Sequence, residues 1–278
     1  MRFLNPRTDF AFKKIFGSGQ SKDVLISFLN ALLYEGCAVI ADLEIIDPYQ
    51  APQLKGMKDT FLDVKATLND SKTVIIEMQV LNVLGFEKRV LYNAAKAFSI
   101  QLDSGQGYAR LNSVIALTIT DFEMFPDSPK VVSRYALKEK DELTTYSDDI
   151  ELVFVELPKF DKSLTELATI TDRWIYFLKE AESLEVMPQA WQDTPAFEKA
   201  FQIAQLSNLS REELDIFERK QLFLQDSRNA VLKGIEQGIE QGEKQKAVAI
   251  AQALLDVLDV ETISQKTGLS VEDISQLR

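Results

Sequence analysis

The chain has 278 residues, 46% of them hydrophobic and 27% charged, a globular composition long enough for one domain with appendages or for two. It contains no histidine and a single cysteine, Cys37, which excludes Ser-His-Asp triads, Cys-His dyads, histidine-liganded zinc and an internal disulfide framework. The net charge is −12, but residues 1–110 carry 13 Lys/Arg against 12 Asp/Glu and residues 111–278 carry 18 against 31. Repulsion toward phosphate is therefore concentrated in the second part, and tight wrapping of a long duplex is not expected without a partner. No apolar run approaches the ~18 residues of a membrane span, and the first residues lack a signal-peptide core, so a cytoplasmic protein is expected.

Thr8 or Asp9 is placed to cap a short helix through Phe16, stopped by Gly17-Ser18-Gly19. Val24, Leu25, Phe28, Leu29, Leu32 and Leu33 then recur at helical spacing, with Gly36 as terminator. Residues 43–46 read as a strand ended by Asp47-Pro48, and a polar segment over 55–59 leads into two further strands, 61–66 and 74–80, joined by Asn69-Asp70-Ser71-Lys72. Strand alternation puts Asp63 and Lys65 on one face and Leu62, Val64 and Ala66 on the other. Glu77 and Gln79 likewise share a face opposite Val74, Ile76, Met78 and Val80. A hairpin would bring Asp63 and Glu77 close enough to share a hard, oxygen-preferring divalent cation. The same alternation also describes a solvated sheet face with ordinary turn chemistry, and spacing alone leaves both readings open.

Beyond the hairpin the spacing predicts a helix over 83–103, with Phe86, Val90, Ala94, Ala97 and Ile100 as its packing stripe, and an apolar strand over 112–120. Strands over 131–137 and 150–157 follow, the second stopped by Pro158. Helices are expected near 164–180, 195–204 and 210–232, the last opened by a Ser210/Glu213 capping box. This order predicts an α/β domain over 1–187, with a mixed sheet flanked by helices, and a helical region over 188–278. Within that region Gly234, Gly238 and Gly242 form a slowly turning small-residue track. Each exposed glycine costs about 1 kcal/mol against alanine in a helix, and both close packing on a partner helix and a semi-flexible spacer fit the pattern. Residues 262–274 have the form of a helix-turn-helix, with Gly268 in the turn and Ser270 and Asp273 boxing the second helix. Val271, Glu272 and Asp273 at its start would repel phosphate, which favours a packing or oligomerisation unit over a DNA reader.

Several of these stretches together resemble the PD-(D/E)XK nuclease family transposases, also called recombination-promoting nucleases. They are Asn5-Pro6-Arg7-Thr8-Asp9 running on to Gly17, Leu62-Asp63-Val64-Lys65, Ile76-Glu77-Met78-Gln79-Val80, Phe86-Glu87-Lys88-Arg89 with Tyr92, and Gly107-Tyr108. The resemblance is strongest over the first 120 residues or so. It implies a restriction-endonuclease-like core and Mg2+, or Mn2+ in its place, held by Asp63 and Glu77; the backbone carbonyl of Met78 is placed to join them. The residue two beyond the glutamate is usually lysine in such families. Here it is Gln79, which can orient water or a phosphate oxygen but cannot accept a proton as a neutral lysine can.

Lys65 either replaces the missing charge or neutralises the carboxylates as a surface pair. Asp9 and Lys13 are either an ordinary i,i+4 pair or, as the resemblance makes plausible, an auxiliary acid and a phosphate-steering cation. Lys58 and Arg89 are further cations for phosphate, and Tyr92 is a phenol able to hydrogen-bond or stack; local pairing of Arg89 and core packing of Tyr92 are the alternatives. The expectation is a Mg2+-dependent DNA endonuclease of low sequence specificity that acts on duplex DNA as a dimer and promotes recombination. A degenerate nuclease-fold protein that binds DNA or a protein partner without cutting is the alternative.

Overall fold

The computed structural model describes residues 2–50, 60–103 and 105–277. The Thr8 hydroxyl accepts from the Ala11 N–H and starts helix α1 (Asp9–Phe16), which buries Ala11, Phe12, Ile15 and Phe16. Helix α2 (Lys22–Tyr34) buries all six residues of its apolar stripe, then ends with Glu35 in the left-handed region (φ 54) ahead of Gly36. Strands β1 (Leu43–Ile46), β2 (Tyr49–Gln50), β3 (Thr60–Phe61), β4 (Val64–Leu68) and β5 (Thr73–Gln79) come next, then helix α3 (Phe86–Ser99) and strands β6 (Val114–Thr120), β7 (Val132–Lys138) and β8 (Thr145–Glu156).

Among the described residues six strands form one sheet in the order β1-β4-β5-β6-β8-β7, and β2 and β3 pair separately. The β4–β5 hairpin is antiparallel, with Val64 opposite Ile76 and Lys65 opposite Ile75. Strands β5, β6 and β8 run parallel, and all seven residues of β6 are buried, as a central parallel strand covered on both faces requires.

One sheet face carries Val64, Ala66, Val74, Ile76, Met78, Leu117 and Val155 into the main core with α1, α2 and two later helices, α4 (Ile170–Glu180) and α5 (Pro195–Ala204). Aromatic packing knits these helices together: Trp174 stacks on Phe197 with ring centroids 4.2 Å apart and meets Phe28 edge-on at 5.6 Å. The opposite face sends Ile75, Val114 and Ala116 against Ala94 and Ala97 of α3. The chain start is clamped to residues far along the sequence. Leu4 N–H donates to the Ala204 carbonyl, Leu206 N–H donates to the Arg2 carbonyl, and Phe3 bridges to Gln205.

Helix α6 (Arg211–Leu254) opens with the expected box, Glu213 N–H donating to Ser210 Oγ and Ser210 N–H to Glu213 Oε2. Two compact units divide at Lys220/Gln221, well beyond the boundary expected at 187/188, because α5 buries Phe197, Ala200 and Phe201 and the start of α6 buries Phe217 in the main core. The helix expected to stop near residue 232 continues through Gly234, Gly238 and Gly242, and no atom of the described residues crowds those positions. In the second unit α7 (Val260–Thr267) and α8 (Val271–Ser275) are capped by Asp259 and Ser270 and joined through Gly268 in the left-handed region (φ 75). Ile263, Leu269 and Ile274 of this pair pack with Ala251 of α6. Among the described residues no helix is long and apolar enough to cross a membrane.

Removing residues 234–278 should leave the first unit folded, because its core residues all precede Gln221. The melting temperature should move by less than about 4 °C, roughly 1 kcal/mol for a unit of this size, and sedimentation of both forms reads any part the tail plays in assembly. Loss of the cooperative transition would show that the tail supports the core.

Candidate active site

The strand expected over 61–66 is broken. Asp63 lies in a bend between β3 and β4, and the two-residue alternation slips there. Leu62 joins the α3-side cluster while Val64 joins the main core, so the two share no face. Lys65, opposite Ile75, lies on the α3 side with Glu77, whereas Asp63 finds its side-chain partners on α1 and β5. The expected pairing of Lys65 with Asp63 on one face therefore does not hold. Burial pushes the Lys65 ammonium below its ordinary value, and Asp47 opposes this only in part.

The bend holds Asp63 firmly. Its N–H donates to the Ile76 carbonyl at 3.2 Å, and Met78 N–H donates to its Oδ2 at 2.7 Å. Lys13 Nζ stands 3.5 Å from Asp63 Oδ1 and 2.5 Å from Asp9 Oδ1, so one ammonium serves two carboxyls. Lys220 Nζ adds a second cation 3.3 Å from Asp9 Oδ2. Burial raises the Asp63 carboxyl to about 7; the Met78 amide and Lys13 pull it down, while Asp9 pushes it up. Burial raises Asp9 as well, but Lys13 and a hydrogen bond with Asp63 more than offset this and hold Asp9 below the ordinary range. Neighbouring carboxyls oppose each other's ionisation, and the burden falls on the more buried Asp63. Burial lowers the Lys13 ammonium, yet its two carboxylate partners hold it above its ordinary value.

Glu77 sits on the α3 side of β5. Arg89 Nη2 lies 2.6 Å from Glu77 Oε1 and donates to Gln79 Oε1 at 2.6 Å, while Asn93 Nδ2 reaches Glu77 Oε2 at 3.4 Å. Burial pushes the Glu77 carboxyl up, with Arg89 and Asn93 offsetting only part. The Gln79 amide is held at both ends, since its Nε2 donates to the Leu81 carbonyl at 2.7 Å. Of Met78 the structure shows the buried side chain and the N–H on Asp63. Tyr92 is exposed on α3 near Arg89, and Lys58 lies outside the described residues.

The Asn5-Pro6-Arg7-Thr8-Asp9 run has a mechanical role. Arg7 pairs with Asp121 at 3.1 Å, and Asp121 N–H donates to the Gln79 carbonyl, which fixes the start of α1 against the ends of β5 and β6. Sequence reasoning passed over Asn93, which lies four residues after Arg89 and so on the same helical face. A polar residue just before Ala94, within the stripe of Phe86, Val90, Ala94 and Ala97, was the signal available. Lys220 gave none, because only tertiary structure brings it to Asp9.

Among the described residues no three acidic, histidine or cysteine side chains converge as a metal cage. The donor chemistry nonetheless fits Mg2+, which is commonly bound by one or two carboxylates completed by water and substrate phosphate. Here a buried carboxyl raised to about 7 beside a second one, with an ammonium between them, marks a place where positive charge is strongly favoured.

A mixed sheet with helices on both faces, with Asp63 held beside α1 and Glu77 beside α3 at the β4–β5 hairpin, has the architecture of a nuclease-fold protein. The family model described as PD-(D/E)XK nuclease family transposase matches residues 6–234, and the chain belongs to that family. The match spans the first unit and the opening of α6, leaving α7 and α8 outside. No curated protein and no solved structure matches the chain.

Proposed function

We propose that the protein is a Mg2+-dependent endonuclease that hydrolyses phosphodiester bonds of DNA with low sequence specificity. The observation that carries this reading is the buried Asp63 carboxyl, paired with Asp9 and bridged by Lys13. Bound there, Mg2+, or Mn2+, supplies Lewis acidity at phosphorus and a water of lowered pKa, a task for which the chain has no histidine. Asp63 would be the first carboxylate to hold it, with Asp9 beside it; Glu77, on the α3 side of β5, and the Met78 carbonyl are the further ligands that family membership suggests. Lys13, which faces both Asp9 and Asp63, would be the cation nearest a phosphate at that place, and Arg89, beside Glu77, would be a second. Gln79 acts through Arg89: its Oε1 fixes the guanidinium that also meets Glu77. Action as a dimer and a role in promoting recombination complete the proposal.

A second reading, a nuclease-fold protein that binds without cutting, draws on the Arg89 guanidinium already neutralising Glu77 and on Gln79 in place of lysine. One assay separates the two. Purified protein should nick or cut DNA with Mg2+ or Mn2+ and stop when EDTA is added. Cleavage that persists in EDTA rules out the metal mechanism, and binding without cleavage in any metal supports the second reading.

A further inference from the structure

Beside the carboxylates, β3, the end of β5 and the first turns of α3 enclose an open cleft of about 550 Å³, with Thr60, Phe61, Glu77, Leu84, Arg89 and Asn93 among its walls. That volume lies in the range that takes a nucleotide-sized molecule. We propose that this cleft receives a single unpaired nucleobase of the strand being cut, so that the substrate is nucleic acid with a single-stranded or melted segment rather than a continuous duplex. The inference rests on the nuclease reading above and names its substrate class.

Three observations converge on a flat, polar-edged ligand. The first is an aromatic platform. Phe61 is 70% exposed and braced by Tyr49, with ring centroids 4.9 Å apart and planes 31° from parallel. A large aromatic held rigidly in water beside a cleft leaves apolar surface that a base π-face would cover. Leu84, fully exposed, adds apolar surface to the same lining.

The second is a set of buried polar atoms without partners. Thr60 and Asn93 are only 8% and 3% exposed, yet among the described residues Thr60 Oγ1, Asn93 Oδ1 and Arg89 Nε have no hydrogen-bond partner. Such groups are costly unless something satisfies them. Because Asn93 Nδ2 is turned to Glu77 Oε2, its Oδ1 is left as an acceptor. These atoms lie beneath the cleft surface, so a base edge meets them only where the wall gives, and they stand as a reserve of donor and acceptor chemistry behind the aromatic platform.

The third is position. Glu77 and Arg89 belong both to the cleft and to the proposed catalytic centre. A strand with its phosphate at the centre would therefore place a neighbouring base in the cleft, and a base inside a stacked duplex cannot reach it without being extruded. The net charge of −12 accords with this, since stacking holds a strand without the dense cationic surface that duplex wrapping needs.

The test uses full-length protein and one labelled DNA sequence in three forms: single strand, perfect duplex, and the same duplex with one unpaired base. Anisotropy with Ca2+ reads binding, and gel assays with Mg2+ read cleavage. Single-stranded and unpaired-base forms should bind and be cut better than the perfect duplex. Phe61→Ala, at an exposed site, should weaken binding of those two forms by about tenfold, as loss of one stacking platform does, with little change for the duplex. Thr60→Val, which keeps the branched shape, should weaken the same two forms. Equal handling of all three forms, with Phe61→Ala and Thr60→Val unchanged, overturns the base site and leaves the nuclease reading intact. Selective binding that is lost in Phe61→Ala but accompanied by no cleavage in any metal keeps the base site and removes the nuclease. Absence of both binding and cleavage removes both.

Discussion

Asp63→Asn should reduce metal-dependent cleavage by about 10³-fold or more and yet raise the melting temperature of the metal-free protein at about pH 8. The first effect follows from losing a charged metal ligand: metal-supplied charge stabilisation is worth several kcal/mol, and each ~1.4 kcal/mol is a factor of ten. The second follows from burial. Asp63 is pushed from 3.8 to about 7 in the folded chain, so below pH 3.8 it is protonated in both folded and unfolded states and costs nothing. As the pH climbs toward 7 the unfolded state loses that proton first, and native stability falls until the folded carboxyl has also ionised. The asparagine stays neutral throughout, accepts the Met78 N–H through its oxygen and donates to Asp9 through its amide. The gap between variant and parent in EDTA should therefore be small near pH 4 and largest above about 7. Thermal melts at both pH values read it; a gap that is the same at both would mean that Asp63 is not the buried ionising group.

Cleavage at subsaturating Mg2+ should rise close to tenfold per pH unit below about 7 and flatten above it, because a carboxyl must shed its proton before it can hold a cation. Raising Mg2+ should move the inflection to lower pH, as the metal competes with the proton. Lys13→Ala should move it upward, since Lys13 is one of the groups holding the Asp63 carboxyl down. Initial rates across pH for the parent and Lys13→Ala decide the matter. A flat profile, or an inflection that ignores the Mg2+ concentration, would place the controlling proton elsewhere.

What could be read from sequence here were the local rules. The Thr8 cap, the α2 stripe, the β4–β5 hairpin and the Ser210 and Ser270 boxes depend on residues within a few positions of one another. The misreadings came where distant packing overrides local pattern. Strict alternation through Asp63 failed because Leu62 is drawn toward α3 while Val64 is drawn to the main core, and the bend between them absorbs the conflict. The glycine repeat did not end α6, since exposed glycine weakens a helix without breaking it as proline does. The motif offers Asp63 and Glu77 as candidates, whereas the neighbours each one has, Asp9 and Lys13 for the first and Arg89 and Asn93 for the second, follow from where α1 and α3 cross the hairpin ends.

The clamp between residues 2–4 and 204–206 bears on how the molecule comes into being. A chain emerging from the ribosome displays Asp9, Asp63, Glu77 and Arg89 early, but the main core also needs Phe197, Phe201 and Phe217, and Lys220 closes on Asp9 last. Contacts so distant in sequence form late, after the entropy of closing a long loop has been overcome. An unfinished chain therefore holds its acidic residues without the scaffold that gathers them. Synthesis must run through most of the chain before Asp9 and Asp63 acquire the cations that flank them.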